Sequence, residues 1–215
     1  HLHTTASDGQ LTPTQLVNQI AKTSLRVIAI TDHDSTDGIT EALAAAEHHP
    51  HLSIIPGIEL GTEDGGSEVH LVSHFIDLDA PGLQNYLAKL RDGRVEAARQ
   101  TVEKLGELGI HIEWERVLEI AKGAVGRPHI ARAMAESGYV HNPQDAFQRY
   151  LGNNGIARVK RLKPTPADGV RFLHSVGATA TLAHPQTVRG LKSVIGFLVD
   201  EGLDGIEVFA PKYGG

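Results

Sequence analysis

The sequence predicts an α/β domain built on a parallel sheet or barrel and interrupted by a helical insertion. Three observations carry that prediction. Short β-branched runs alternate with amphipathic helical segments over the first 80 residues. Helical segments then follow one another without a strand to about residue 165, after which the alternation resumes. Strand–helix alternation of this kind is the signature of a sheet whose strands are joined by crossovers.

Each element has its own local justification. Residues 1–3 are read as a first strand. In "LTPTQLVNQIAKTSL", Thr12 is a candidate N-cap, Pro13 takes the first helical position, and Leu16, Val17 and Ile20 fall at helical spacing. "RVIAIT" (26–31) is a buried strand by its β-branched run. "STDGITEALAAAEHH" is an Ala-rich helix with Ser, Thr or Asp available to cap it. "LSIIPGIEL" (52–60) and "EVHLVSHF" (68–75) supply two more strands, expected to join through crossovers. "LQNYLAKLRDGRVEAARQTVEKLGELG" opens the insertion as a long helix that could break at Asp92-Gly93. "EWERVLEIAKG", "RPHIARAMAESG" and "NPQDAFQRYLG" add three shorter helices. Helix "TPADGVRFLHSVG", strand "ATATLA" (178–183), helix "VRGLKSVIGFLVDEG" and strand "DGIEVF" (204–209) close the pattern.

Composition narrows the function classes. A chain of 215 residues suits one large domain, or a core domain carrying an insertion. The absence of cysteine excludes disulfides and thiolate metal sites and is compatible with a reducing compartment, so a cytoplasmic location is expected. No apolar run reaches the length of a membrane span, and no obligate protein partner is evident. A net charge of -6 argues against a broad electrostatic nucleic-acid binder while leaving room for a local basic patch. Thirteen histidines are unusual. His48, His49 and His51, in the polar "EHHPHL", read as surface residues, and His74 reads as structural.

Polar residues, several histidines among them, cluster where strands end. "RVIAIT" runs into Asp32-His33-Asp34, "LSIIPGI" into Glu59, and "ATATLA" into His184. Carboxyl ends of parallel strands share one face, where sites are built. His1 and His3 alternate onto one side of a strand, Asp8 lies in the loop beyond, and His70 points opposite to Val69 and Leu71. Singly, each has an ordinary reading: His70 as a core group, Asp32 and Asp34 as loop caps, Glu59 as a partner for an arginine. Together, so many acids and imidazoles at one end of a sheet would be costly without a cation. Oxygen and imidazole donors without thiolate suit Mn²⁺, Fe²⁺, Zn²⁺ or Mg²⁺.

The motifs "HLHTTASDG", "ITDHDSTDG", "PGIEL", "EVHLVSHF", "GRPHIARAM" and "TLAHP", in this order, resemble those of the polymerase and histidinol phosphatase (PHP) superfamily. Within it, the resemblance is to bacterial phosphoesterases acting on nucleoside 3',5'-bisphosphates and short oligonucleotides. It implies a distorted (β/α)7 TIM-like barrel over residues 1–79 and 166–215, and a substrate-clamping helical insertion over 80–165. It also implies two to three divalent metal ions, manganese first among them. His1, His3, Asp8, His33, Glu59, His70 and His184 match the family's ligands, with Glu59 in the bridging position. The family's last strand carries an Asp-x-His pair; "IEVFAPKYGG" precedes it, so that stave and the completion of a third metal site are expected beyond residue 215.

Arg127 and His129 stand at the start of a helix, where anions are favoured and Arg binds phosphate bidentately. Arg158 and Lys160 would share a face if extended, whereas Arg161 and Lys163 read equally well as solvated. Asp8 and His129 are the candidate catalytic groups, with His129 or a nearby ligand histidine expected to help the leaving alkoxide acquire a proton. The expected reaction is hydrolysis of a phosphomonoester of a nucleotide or short oligonucleotide by a metal-bridging hydroxide. The alternatives are a histidinol-phosphate phosphatase, an amidohydrolase (weakened by the lack of a strand-end lysine) and an idle, metal-stabilised nucleic-acid-binding module.

Overall fold

The computed structural model describes residues 1–121, 125–152, 154–159, 161 and 163–209. The first helix forms as its sequence dictates. In α1 (Pro13–Ile20), Thr12 Oγ1 accepts from the Gln15 N–H at 3.2 Å while Gln15 Oε1 accepts from the Thr12 N–H at 3.0 Å, a reciprocal capping box. Strand β1 (Val27–Ile30) leads to α2 (Ile39–Ala46). The expected Ser, Thr or Asp cap of α2 does not form: Gly38 occupies the N-cap. Ser35 Oγ is committed to the Asp37 N–H at 3.1 Å, and a Cβ at position 38 would stand 2.8 Å from Thr4 Oγ1 and 2.9 Å from Asp32 Oδ2. The loop after residue 3 presses too closely for any side chain there.

Strands β2 (Ser53–Asp64), β3 (Ser67–His74), β4 (Thr181–Leu182) and β5 (Gly205–Ile206) complete one sheet in the order β1-β2-β3-β4-β5. β1 is parallel to β2 and β4 to β5, but β3 is antiparallel to both neighbours. The expected distorted (β/α)7 barrel, with its last stave placed beyond residue 215, is not seen: the described residues form an open, mixed five-stranded sheet. The cause is local. β2 and β3 are joined through Gly65 and Gly66, at φ +53° and +85°, a tight reversal with no length for a crossover. The expected first strand is a single parallel bridge, Leu2 to Ile30, and the expected strands at 178–183 and 204–209 shorten to two residues each.

α3 (Leu83–Glu107) runs through Asp92-Gly93 without a break. Leu83, Leu87 and Leu90 bury its first half against the sheet; Ala98, Val102 and Leu105 bury its second half among α4 (Trp114–Ala121) and α5 (Arg127–Glu136). A mid-helix glycine costs roughly 1 kcal/mol, less than the burial on either side of it. The short α6 (Pro143–Ala146) continues into a π-helical turn, Phe147–Leu151. α7 (Pro166–Ser175) and α8 (Leu191–Asp200) then return the chain to the sheet, whose core is formed by Ile30, Ile58, Leu60 and Leu71. No helix among the described residues is long and apolar enough to cross a membrane.

Candidate metal centre

The backbone brings Glu59 and His33 side by side. The Glu59 N–H donates to Asp32 O at 3.1 Å and the Asp34 N–H to Glu59 O at 3.0 Å, so the segment after β1 lies along β2. His70 of β3 faces Gly61 in the adjacent register, and the Ala183 N–H donates to His70 O, carrying His184 to the same face. On the other flank, the Leu2–Ile30 bridge sets His1 and His3 on one side. Asp32, fully buried, anchors the following loop: it accepts from the Thr4 N–H at 2.6 Å, Thr4 Oγ1 at 2.7 Å and Ser7 Oγ at 2.5 Å. That loop delivers Asp8.

Five imidazoles converge on the Glu59 carboxylate, which is 1% exposed. His1 Nε2, His3 Nε2 and His33 Nδ1 stand 3.3, 3.2 and 3.1 Å from Oε2. His70 Nδ1 and His184 Nε2 each stand 2.7 Å from Oε1. Asp8 is farther out, 3.7 Å from His3 Nδ1 and 3.6 Å from His33 Nε2. Hydrogen bonding alone does not satisfy this set. A carboxylate has about four lone-pair sites for five rings, and His33 Nδ1, fully enclosed, makes no hydrogen bond. Two donors each ~2.1 Å from one ion at tetrahedral to octahedral angles lie about 3.0–3.4 Å apart, the spacing seen around Oε2. Three donor triads form, His1–His3–Glu59, His3–Asp8–His33 and His33–Glu59–His70. They share members, so the residues fit a cluster of adjacent divalent ions.

The electrostatics of the metal-free cluster differ from ring to ring. Burial opposes the Glu59 charge, yet the imidazoles, His33 foremost, hold its carboxyl well below the usual range. Burial also pushes His33 down, against the pull of Glu59 and Asp8. His1 moves the other way: burial lowers it, but the Glu207 and Glu59 carboxylates lift it to about 10.

Asp8, His33 and His70 also form one end of a cavity of about 230 Å³ whose walls carry Arg94, Arg127, Arg158, Arg161 and Lys163. Arg127 reaches Glu68 Oε2 at 2.7 Å and Leu151 O at 3.0 Å, so its guanidinium is held at the wall by a carboxylate. Arg158 lies 3.4 Å from Glu63 and 3.9 Å from Glu68. Lys160 lies outside the described residues. His129 is buried, and its Nδ1 accepts from the Gly126 N–H at 3.0 Å, closing the start of α5; its ring does not line the cavity. Arg161 and Lys163 are not solvated: their side chains are 11% and 6% exposed and pair with Asp34 and Glu68.

Sequence reasoning missed Arg94, Glu68 and Glu207. Arg94 donates to Asp34 Oδ2 at 2.6 Å, and nothing in the charged helix around it marks this residue out. Glu68 had a usable signal, since it stands two residues before His70 and so on the same face of β3. The surface readings hold for His49, which meets Asn18, and His51, which meets Ala21 O.

Acid stability follows from two of these carboxyls. Burial alone would raise Asp34 and Glu68, but Arg94 and Arg161 on the first, and Lys163 and Arg127 on the second, hold both well below ordinary values. A carboxyl depressed in the fold stabilises fully above its unfolded pKa, and that contribution is lost as pH falls toward the folded value. The metal-free protein is therefore expected to lose stability progressively below about pH 4.5. Denaturant melts should show a shallower acid limb for Glu68→Gln than for the parent; identical limbs would contradict the assignment.

Residues 1–145 match the family model described as the PHP domain. The 5'-3' exoribonuclease Rnm of Salmonella typhimurium is 34% identical over 214 residues, which cover 97% of this chain and 73% of the relative. A 3',5'-nucleoside bisphosphate phosphatase of Chromobacterium violaceum is 33% identical over 187 residues, covering 86% of this chain and 65% of the relative. Among solved structures, a Bifidobacterium adolescentis protein assigned as a metal-dependent phosphoesterase superposes with a TM-score of 0.89 at 31% identity, covering 97% of this chain and 76% of that one.

Proposed function

The chain belongs to the PHP domain family, and from that premise we propose that it is a metal-dependent phosphoesterase acting on nucleotides, such as a nucleoside 3',5'-bisphosphate, or on short oligonucleotides. The observation that carries this reading is the adjacency of two features. Six candidate ligands gather around or beside Glu59, the seventh, and a cavity with five cationic side chains opens directly from them.

His1, His3, Asp8, His33, Glu59, His70 and His184 would hold two or three divalent ions, with Mn²⁺ as the proposed metal. Such ions supply an activated water and neutralise charge on a phosphoryl group. The chain's own part is placement. Arg127 and Arg158 stand on the cavity wall, with Lys160 as a further candidate, and would take the phosphoryl oxygens in exchange for their Glu68 and Glu63 contacts. Asp8 sits where ligand shell and cavity meet, a position from which its carboxylate can orient or accept a proton from the attacking water. His129 accepts the Gly126 N–H on Nδ1 and so closes the start of α5; to serve as proton donor to the leaving alkoxide its ring would have to turn into the cavity, which it does not line. The helical segment 80–165 is the proposed clamp, and a cytoplasmic setting suits the cysteine-free sequence.

The deciding assay is phosphate release with added Mn²⁺ from adenosine 3',5'-bisphosphate, a short 5'-phosphorylated RNA and histidinol phosphate. Turnover of either nucleotide substrate, abolished by chelation, is the expected outcome. Arg127→Ala should raise KM at least about tenfold, equivalent to ~1.4 kcal/mol of lost binding. Preference for histidinol phosphate would replace the nucleotide reading, and no release from any substrate would support the idle-module alternative.

A further inference from the structure

We propose that Glu207 is a positioning residue of the metal centre, a single carboxylate that orients two ligand histidines distant in sequence, His1 and His184. The inference rests on the reading of the Glu59 cluster as a metal site. Glu207 Oε1 accepts from His1 Nδ1 at 2.6 Å and Glu207 Oε2 accepts from the His184 N–H at 2.7 Å. Its own N–H donates to Leu182 O at 3.0 Å, extending β5 along β4 by one more bond. Each carboxylate oxygen thus has a different ligand histidine.

Both contacts matter for ligand geometry. A ring that donates from Nδ1 presents its Nε2 lone pair to an ion, and the partner of the donating nitrogen sets which tautomer is present. His1 Nε2 is the atom that faces Glu59. Residues 1–3 are held to β1 and the residue after it by the Leu2–Ile30 bridge and by hydrogen bonds between Leu2 and Thr31, and Glu207 adds an anchor from the other edge, 206 residues away in sequence. At His184 the constraint is on the backbone. The residue sits at φ +30°, ψ +60°, a left-handed conformation that a non-glycine residue adopts at a cost, and it persists where surrounding contacts determine it. The Glu207 bond to its N–H is such a contact, and it aims His184 Nε2 at Glu59 Oε1. The His1 and Glu207 side chains are 19% and 15% exposed, so the pair is largely shielded from water.

Glu207→Gln separates this role from bulk and folding. An amide has a carbonyl oxygen at only one of the two positions, so it can accept where Oε1 faces His1 or where Oε2 faces the His184 N–H, but not at both. Mn²⁺ affinity measured by calorimetry should fall about 10–100-fold in Glu207→Gln, the usual loss for such a partner of a ligand histidine. Glu207→Ala should lose at least as much. Glu207→Gln, which keeps one of the two bonds, should melt close to the parent in chelator, and excess Mn²⁺ should restore its kcat to near the parent value with KM for substrate unchanged. Parent-like Mn²⁺ affinity in both variants would overturn the proposal, as would lowered stability in chelator with unchanged affinity. A parent that binds no Mn²⁺ at all would instead overturn the underlying metal-site reading.

Discussion

Glu59→Gln should lower metal-dependent phosphate release at least about 10³-fold, roughly 4 kcal/mol of transition-state stabilisation. Glu59 is the one residue that every ligand histidine approaches, and it is 1% exposed. The amide is nearly isosteric, but it removes the negative charge that offsets a bound cation. It also turns an NH₂ group toward rings that need an acceptor. Metal content should fall together with turnover. Turnover within about tenfold of the parent would remove Glu59 from the centre of the mechanism.

The second large effect is on stability and falls on Asp34→Asn. Asp34 is fully buried, with Arg94 at 2.6 Å, Arg161 at 3.1 Å and the Gly61 N–H at 2.9 Å. Asparagine keeps the shape and tolerates the φ of +48° at this position, so the substitution isolates the charge. Two guanidiniums 16% and 11% exposed would lose their shared counter-ion. Breaking a buried pair of this kind costs about 3–5 kcal/mol, because the uncompensated charge remains. Arg94 comes from α3 and Arg161 from the segment returning to the sheet. Both tie these parts to the residue next to His33, so the cavity should also loosen and substrate KM should rise. Denaturant unfolding checks the first expectation; a loss below about 1 kcal/mol would mean that the guanidiniums are solvated without Asp34.

Much of the candidate centre was legible in the chain because its members sit at positions that local rules mark. His1 and His3 alternate about Leu2, His33 and Glu59 end β-branched runs, and His70 alternates within a strand. The cap of α1 was legible for the same reason, since Thr12 and Gln15 are three residues apart and satisfy each other. The hairpin between β2 and β3 was missed although "EDGGSE" carries the Gly-Gly signal for it. The surrounding strand–helix alternation favoured crossovers, and a two-glycine reversal overrides that pattern locally. Arg161 and Lys163 illustrate a different limit. A run of basic residues looks solvated until the fold places Asp34 and Glu68 beside it.

By itself, then, the sequence determined the element types and the set of ligand-type side chains, because helix and strand periodicity and strand-end positions act over a few residues. Only the tertiary structure decided the open, mixed sheet, the continuity of α3, and which charge meets which. Those outcomes depend on partners 60 to 206 residues apart, such as Arg94 with Asp34 and His1 with Glu207. Burial gives such contacts their strength, and no local pattern encodes it.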